Sequence, residues 1–304
     1  MIRKIIATNH LGESLEMELQ HPEKSGLNIY DITGLGPGKA DINTTDIATN
    51  DGSLYNSARM NQRNIVISMK FLFAPTIEDV RQKVYKYFPI KRQIKLAIET
   101  DNRFCEIAGY VESNNPDIFS KEESTQISII CPDPYFYSIG EDGESTTVFS
   151  GIEPLFEFPF SNESLTERLI EFGAIQNRME QTVYYDGDAE VGVTIYINAL
   201  GKASNVTIHN TGTRETLRID TKKLNQLTGS GIVAGDEIII STVKGNKYIQ
   251  LLRGGVYTNI LNCLDKDADW FQLAKGDNIF AYTADSGASN LQFRIVHRTI
   301  FEGV

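Results

Sequence analysis

Asn64-Ile-Val-Ile-Ser-Met-Lys-Phe-Leu-Phe73 carries the clearest structural signal in the chain. Ile65, Ile67, Met69, Phe71 and Phe73 fall on one face at period two, and Val66, Ser68, Lys70 and Leu72 form a more mixed second face. Such alternation reads as a β-strand with one side in a core, because successive side chains of an extended chain point to opposite sides. Just beyond it the period changes. Thr76 can cap a helix, with Asp79 three residues on in a capping-box-like pair. Ile77, Val80, Val84, Tyr87 and Phe88 then make one helical stripe until Pro89 stops it. The stripe is expected to pack on a sheet.

Working outward, residues 2–8 and 13–20 read as two strands around the turn Asn9-His10-Leu11-Gly12. Further strands are expected at Gln93–Glu99, Arg103–Val111 and Thr125–Cys131. Gly34–Asn61 differs: it is rich in Gly, Asn, Asp and Thr, with scattered Ile42, Ile47, Leu54 and Tyr55. It reads as a long hairpin or extended arm, and loops of that length inside a compact domain are often functional. Cys131-Pro-Asp-Pro134 closes the first half, and polar Gly140–Thr147 reads as a linker, which puts a boundary near residue 140.

Short strands dominate the second half: Leu155–Phe160, Leu169–Phe172, Thr182–Tyr185, Val191–Ile197, Ser204–His209, Glu215–Ile219, Glu237–Ser241, Lys247–Leu252, Gly255–Asn259, Asn278–Thr283 and Leu291–Phe301. Asp186-Gly187, Gly229-Ser-Gly231, Lys244-Gly-Asn246 and Asp285-Ser-Gly287 mark turns between them. The pattern predicts a β-sandwich.

Composition narrows the function. The net charge is −11, with 41% hydrophobic and 23% charged residues. Residues 1–138 hold 15 Lys/Arg against 18 Asp/Glu, and the remainder 14 against 22, so neither half offers the clustered basic surface that nucleic acid requires. The Ile5-Ile6-Ala7 run is too short for a signal-peptide core, and no stretch suits membrane insertion. Cys105, Cys131 and Cys263 lack metal or disulfide spacing and are expected to be reduced, buried thiols.

Sites of chemistry are scarce. Gly34-Leu-Gly-Pro-Gly-Lys39 resembles a phosphate loop only loosely: the spacing fails, and Ala40 stands where a hydroxyl would hold magnesium. Asp186–Glu190 and Asp265–Asp269 lack a full calcium-ligand set and read as solvated turns. His10, His21, His209 and His297 stand apart from any nucleophile motif. Trp270, beside Phe271 and Leu273, reads as a core anchor, with an exposed sugar-stacking platform as the alternative. No catalytic, cofactor-binding or metal-binding residue is expected.

Several motifs in order resemble the distal tail (Dit-type) proteins of long-tailed bacteriophages. They are Arg63–Ser68 ahead of the helix, the Cys-x-Asp-Pro-aromatic junction within Ile129–Tyr137, and Gly235-Asp-Glu-Ile-Ile-Ile-Ser-Thr242. Gly245-Asn246, Tyr257-Thr-Asn259, Asp269-Trp-Phe-x-Leu273 and Gly276-Asp-Asn278 follow. The resemblance spans nearly the whole chain and is weakest over residues 145–200. It implies a mostly β fold, with an N-terminal ring-forming (belt) β domain bearing one helix (1–140) and a C-terminal galectin-like β-sandwich (141–304). It implies a virion structural protein of the tail tip or baseplate, made in the bacterial host cytoplasm. A homohexameric ring would join the tail tube to the hub or to a tail-associated fibre or lysin. Tyr55 and Arg59 are the candidate subunit or tube anchors, and Trp270 the candidate contact to host wall saccharide. The competing readings are a carbohydrate-binding β-sandwich protein and a cell-wall hydrolase.

Overall fold

The structure is a computed structural model in which residues 1–48, 51–73, 75–140, 143–153 and 174–304 are described. The chain divides into two compact units, Met1–Gly143 together with Ile300–Val304, and Glu144–Thr299. Among the described residues no helix is long and apolar enough to cross a membrane.

The first unit contains β1 (Ile2–Thr8), β2 (Ser14–Glu18), α1 (Pro22–Ser25), β3 (Leu27–Thr33), β4 (Ala40–Asp46), β5 (Ser53–Met60), β6 (Arg63–Phe71), α2 (Ile77–Tyr87), β7 (Gln93–Thr100), β8 (Phe104–Asp117), β9 (Ser124–Cys131) and β10 (Phe136–Ser138). Seven strands lie in the order β2-β1-β7-β8-β9-β6-β3, every pairing antiparallel. The β1–β2 turn forms where it is expected. The Asn9 side-chain oxygen accepts from the Leu11 and Glu13 amides, and Gly12 takes a left-handed conformation. On β6 the core face carries Ile65, Ile67, Met69 and Phe71, all buried. Phe73, expected on that face, lies past the strand end and is 81% exposed.

Helix α2 starts as expected, the Thr76 hydroxyl oxygen accepting from the Asp79 amide at 3.1 Å. Its Val80 and Val84, with Phe88 at the C-cap, are buried with the sheet's apolar face. Each contributes roughly 1.5–3 kcal/mol relative to exposure. Gly109 permits close packing within the sheet: a Cβ there would lie 2.8 Å from Cys131 Sγ and 2.9 Å from the Ile130 carbonyl oxygen. β3 and α1 were not expected from sequence. α1 begins with Pro22 and ends at left-handed Gly26 after a single turn, too brief for a periodic signal.

The second unit contains β11 (Ser145–Val148), β12 (Ser150–Glu153), β13 (Ala174–Asn177), β14 (Glu180–Tyr185), β15 (Val191–Gly192), β16 (Thr194–Ala199), β17 (Thr207–Asn210), β18 (Glu215–Arg218), α3 (Thr221–Thr228), β19 (Glu237–Ser241), β20 (Tyr248–Arg253), β21 (Val256–Asn259), β22 (Gln272–Leu273), β23 (Gly276–Thr283) and β24 (Leu291–His297). The six-stranded sheet β11-β24-β16-β19-β20-β21 and the four-stranded sheet β14-β23-β17-β18 supply the core. Ile195, Ile240, Ile249 and Ile295 are buried from the first, and Val183, Ile208, Leu217 and Phe280 from the second. Tyr282 of β23 stacks on Phe293 of β24 with ring centroids 3.8 Å apart and 18° between planes, which joins the two sheets.

Several expectations change. The polar stretch read as a linker is partly strand, since Ser145–Val148 pairs with β24. The strand read at Val191–Ile197 divides between two sheets. β15 pairs with β22 and β16 with β19 and β24, the switch falling at Gly192, where a Cβ would lie 2.5 Å from Val243 Cα. Helix α3 was not expected. Its signals are Asp220, whose carboxylate accepts from the Lys222 and Lys223 amides, and left-handed Gly229 at its end. The strands read at Leu155–Phe160 and Leu169–Phe172 lie outside the described residues. The final strand also divides: β24 ends at His297, and Ile300–Phe301 forms β25, which pairs with β10 in the first unit. The last five residues therefore belong to the first unit, not to the sandwich.

A buried ion pair ties the α3–β19 loop to β20. Asp236, whose side chain is 1% exposed, accepts from Arg253 Nε at 2.7 Å and Nη2 at 2.6 Å. Arg253 also donates to the Gly231 carbonyl and the Ser230 hydroxyl. Replacing Arg253 with Met strands a buried carboxylate, a loss on the order of 3 kcal/mol. Calorimetry of Arg253→Met is expected to show the unit's melting temperature lowered by roughly 6–12 °C.

Candidate assembly interface

Between β3 and β6 the chain leaves the sheet and runs out and back as β4 and β5, which pair only with each other. Every residue of β4 is exposed, as are all of β5 except half-buried Met60. The register separates the ribbon's two faces. Ala40 lies opposite Met60, Ile42 opposite Ala58 and Thr44 opposite Tyr55, giving one largely apolar face. Asp41 opposite Arg59, Asn43 opposite Ser57 and Thr45 opposite Leu54 give a largely polar one. A bulge at Asn56 keeps the assignment consistent along the ribbon, and its side-chain amide donates to the Thr45 hydroxyl at 2.7 Å.

Tyr55 and Arg59 therefore stand on opposite faces. Tyr55 is 66% exposed beside Ile42, itself 64% exposed, on the apolar face. Arg59 faces the other way, 3.7 Å from Asp41. A two-stranded hairpin alone is marginally stable in water, and exposed apolar faces of this kind are typical of interaction surfaces.

The root of the ribbon is held by Arg63, the first residue of β6 and 5% exposed. Its guanidinium donates from Nε to the Pro134 carbonyl at 2.7 Å and from Nη1 to Gly34 and Gly36 at 2.6 and 2.5 Å. Nη2 donates to the Glu302 carbonyl at 2.6 Å. The same group lies 4.7 Å from the Phe136 ring centroid. Burial lowers the Arg63 pKa from its ordinary value, but the group stays charged. Around it the last residues are fastened: Arg103 donates to the Gly303 carbonyl and stacks on Phe301, and the Val304 amide donates to Leu35.

This arrangement also disposes of the phosphate-loop reading. The Gly34 and Gly36 carbonyls point at a cation, whereas a phosphate cradle presents amides. Sequence reasoning saw Arg63 only within a family motif. Its available signal was an arginine opening a strand between glycine-rich and proline-rich segments.

The remaining candidates do not converge on one place. Trp270 is half-buried and Phe271 fully buried, and Lys247 Nζ lies 5.4 Å from the Trp270 ring centroid. The acidic turns have local partners: Lys275 lies 3.8 Å from Asp186, Lys223 lies 3.9 Å from Asp265, and Asp269 accepts from the Thr216 amide. Among the described residues no group of three His, Cys, Asp or Glu side chains could hold a metal ion. All three cysteines are free and buried, and burial pushes the thiols of Cys105 and Cys131 up to about 11.

Residues 186–297 match the family model described as siphovirus-type tail component, C-terminal domain. The whole chain has the fold of the SPP1 Dit (gp 19.1) protein, whose crystal structure is described as a paradigm of the hub adsorption apparatus in Gram-positive-infecting phages. That similarity has a TM-score of 0.66 at 13% identity, over 98% of this chain and 99% of that one. The family match covers residues 186–297, and the structural likeness shows the fold. Structures of the phage P2 baseplate in its activated conformation, with Ca and with Sr, align over 98% of both chains at 11% identity, with TM-scores of 0.45 and 0.47. No curated protein sequence matches.

Arg63→Lys keeps the charge but loses the planar fork, so one ammonium group cannot serve all four carbonyls. Urea unfolding is expected to show a loss of about 2–4 kcal/mol. Limited proteolysis should then expose sites near Gly34–Gly38 and Glu302 first; unchanged stability would remove Arg63 from its role.

Proposed function

We propose that this chain is a structural component of a phage tail tip that closes into a homohexameric ring through its first unit. The ring joins the tail tube to the hub or to a tail-associated fibre or lysin. The observation that carries this reading is the β4–β5 ribbon, with Ile42, Tyr55 and Ala58 on an apolar face that none of the described residues covers. In a closed ring each copy presents two unlike patches, one to each neighbour, and a projecting ribbon is suited to be one of them. The ribbon's apolar face is the contact and its polar Asp41–Arg59 face stays outward, so Tyr55 rather than Arg59 is the anchor.

On this reading the first unit is the ring-forming (belt) domain, and the second is a galectin-like sandwich. The role is architectural rather than catalytic: matched family and matched fold are those of tail components. Sugar binding through Trp270 is not favoured, because Lys247 already lies over that ring.

Native mass spectrometry of the purified chain is expected to show a hexamer. Ile42→Asp with Tyr55→Asp should leave a folded monomer with an unchanged melting temperature, whereas Arg59→Ala should still assemble. Assembly that survives the double substitution would remove the ribbon as the ring contact. A wild-type chain that stays monomeric at all concentrations and is missing from assembled tails would overturn the ring itself.

A further inference from the structure

The chain enters the second unit on β11 and leaves it on β24, and these strands pair with each other, Ser145 opposite His297 and Thr146 opposite Val296. On the other side of β24, β16 begins with Thr194 opposite Val296, so the His297 rung is held by β11 alone. His297 is 4% exposed. Its imidazole meets Tyr185 of β14 edge-on, ring centroids 5.5 Å apart at 83°. Neither ring nitrogen makes a well-formed hydrogen bond, although the Tyr184 backbone lies beside the ring, and the Tyr185 hydroxyl donates to the Ala189 carbonyl at 2.7 Å.

The charged residues adjoining these elements are Glu144 before β11, Asp186 after β14 and Arg298 after β24, with Arg294 within β24 lying over the Tyr196 ring. No charged side chain contributes to the titration of His297. Burial lowers its pKa from the ordinary 6.5, opposed only by the Tyr184 backbone.

We propose that His297 is an acid-sensitive latch on the paired strands by which the chain enters and leaves the second unit. As a neutral ring it packs as an aromatic side chain. As imidazolium it would be an enclosed charge with only the Tyr184 backbone beside it and no carboxylate to compensate it, so it leaves the core and opens the Ser145–His297 rung. The direction follows from linkage. The folded state binds the proton less readily than the unfolded chain, so this contribution to stability is complete above the ordinary histidine value. It is lost as the pH falls below that value toward the folded-state pKa. The other histidines lack this setting: His10 is exposed, His21 pairs with Glu23, and His209 shares a hydrogen bond with Thr283.

Hydrogen exchange, corrected for intrinsic rates, tests the latch on peptides covering residues 143–149 and 291–299. Between about pH 8 and about pH 5 their protection is expected to fall on the order of tenfold relative to the rest of the unit. His297→Phe keeps the edge contact with Tyr185 but takes no proton, and its protection should not change with pH. Should that variant fail to fold, His297→Gln gives the same readout, and NMR titration of the wild-type imidazole gives a second. A wild-type chain with pH-independent protection would overturn the latch. So would a non-titrating variant that loses protection equally, or an imidazole titrating at or above 6.5.

Discussion

One buried guanidinium ties three chain segments to the start of β6. Arg63 sits at the mouth of β6 and donates to carbonyls of Gly34, Gly36, Pro134 and Glu302. Those groups belong to the exit from β3, the approach to the ribbon, the junction after β9 and the returning C-terminal segment. A buried carbonyl without a donor costs free energy comparable to a lost hydrogen bond. Arginine alone combines enough donors with a planar spread wide enough to meet several at once. No carboxylate stands among its hydrogen-bond partners, so the site depends on backbone dipoles and on the Phe136 face.

With its root fixed, the ribbon can project without a core of its own. Its strands satisfy each other's backbone groups, and its side chains divide by register into an apolar and a polar face. Stability at the root and exposure at the tip are therefore separate properties, held by different residues. The large sheet manages its own free edge differently: β3 carries a bulge between Ile29 and Asp31, which interrupts the regular ladder an unwanted strand would extend.

The second unit follows another logic. Two sheets meet over aliphatic faces, with the Tyr282–Phe293 stack between them. Polar groups are buried both in the strands, at Asn210, Ser241 and Asn278, and in the loops, where the Asp236–Arg253 pair is the clearest case. Burying the Asp236 carboxylate beside half-buried Arg253 is tolerable because each charge is met by the other and by nearby hydrogen-bonding groups. His297 differs from these in being a titratable ring enclosed with no charged partner.

Much of the fold was legible in sequence. Period-two alternation on β6, the Thr76 cap and the Pro89 stop are local signals, and local sterics and hydrogen bonding enforce them. The ribbon was legible as an arm from its polar composition. Short elements such as α1 and α3 left little periodicity to read. The faces of the ribbon were not legible, because which residues share a side depends on cross-strand register and on one bulge. The placement of Ile300–Phe301 was hidden for a related reason: two β residues carry no mark of which sheet they will join. The sequence by itself determined where strands and the long helix form, since those depend on neighbours in the chain. Only the tertiary structure decided that the last five residues return to the first unit, that Arg63 gathers four distant carbonyls, and that Tyr55 and Arg59 look in opposite directions. These depend on contacts between residues far apart in the chain, and such contacts exist only once the strands have paired.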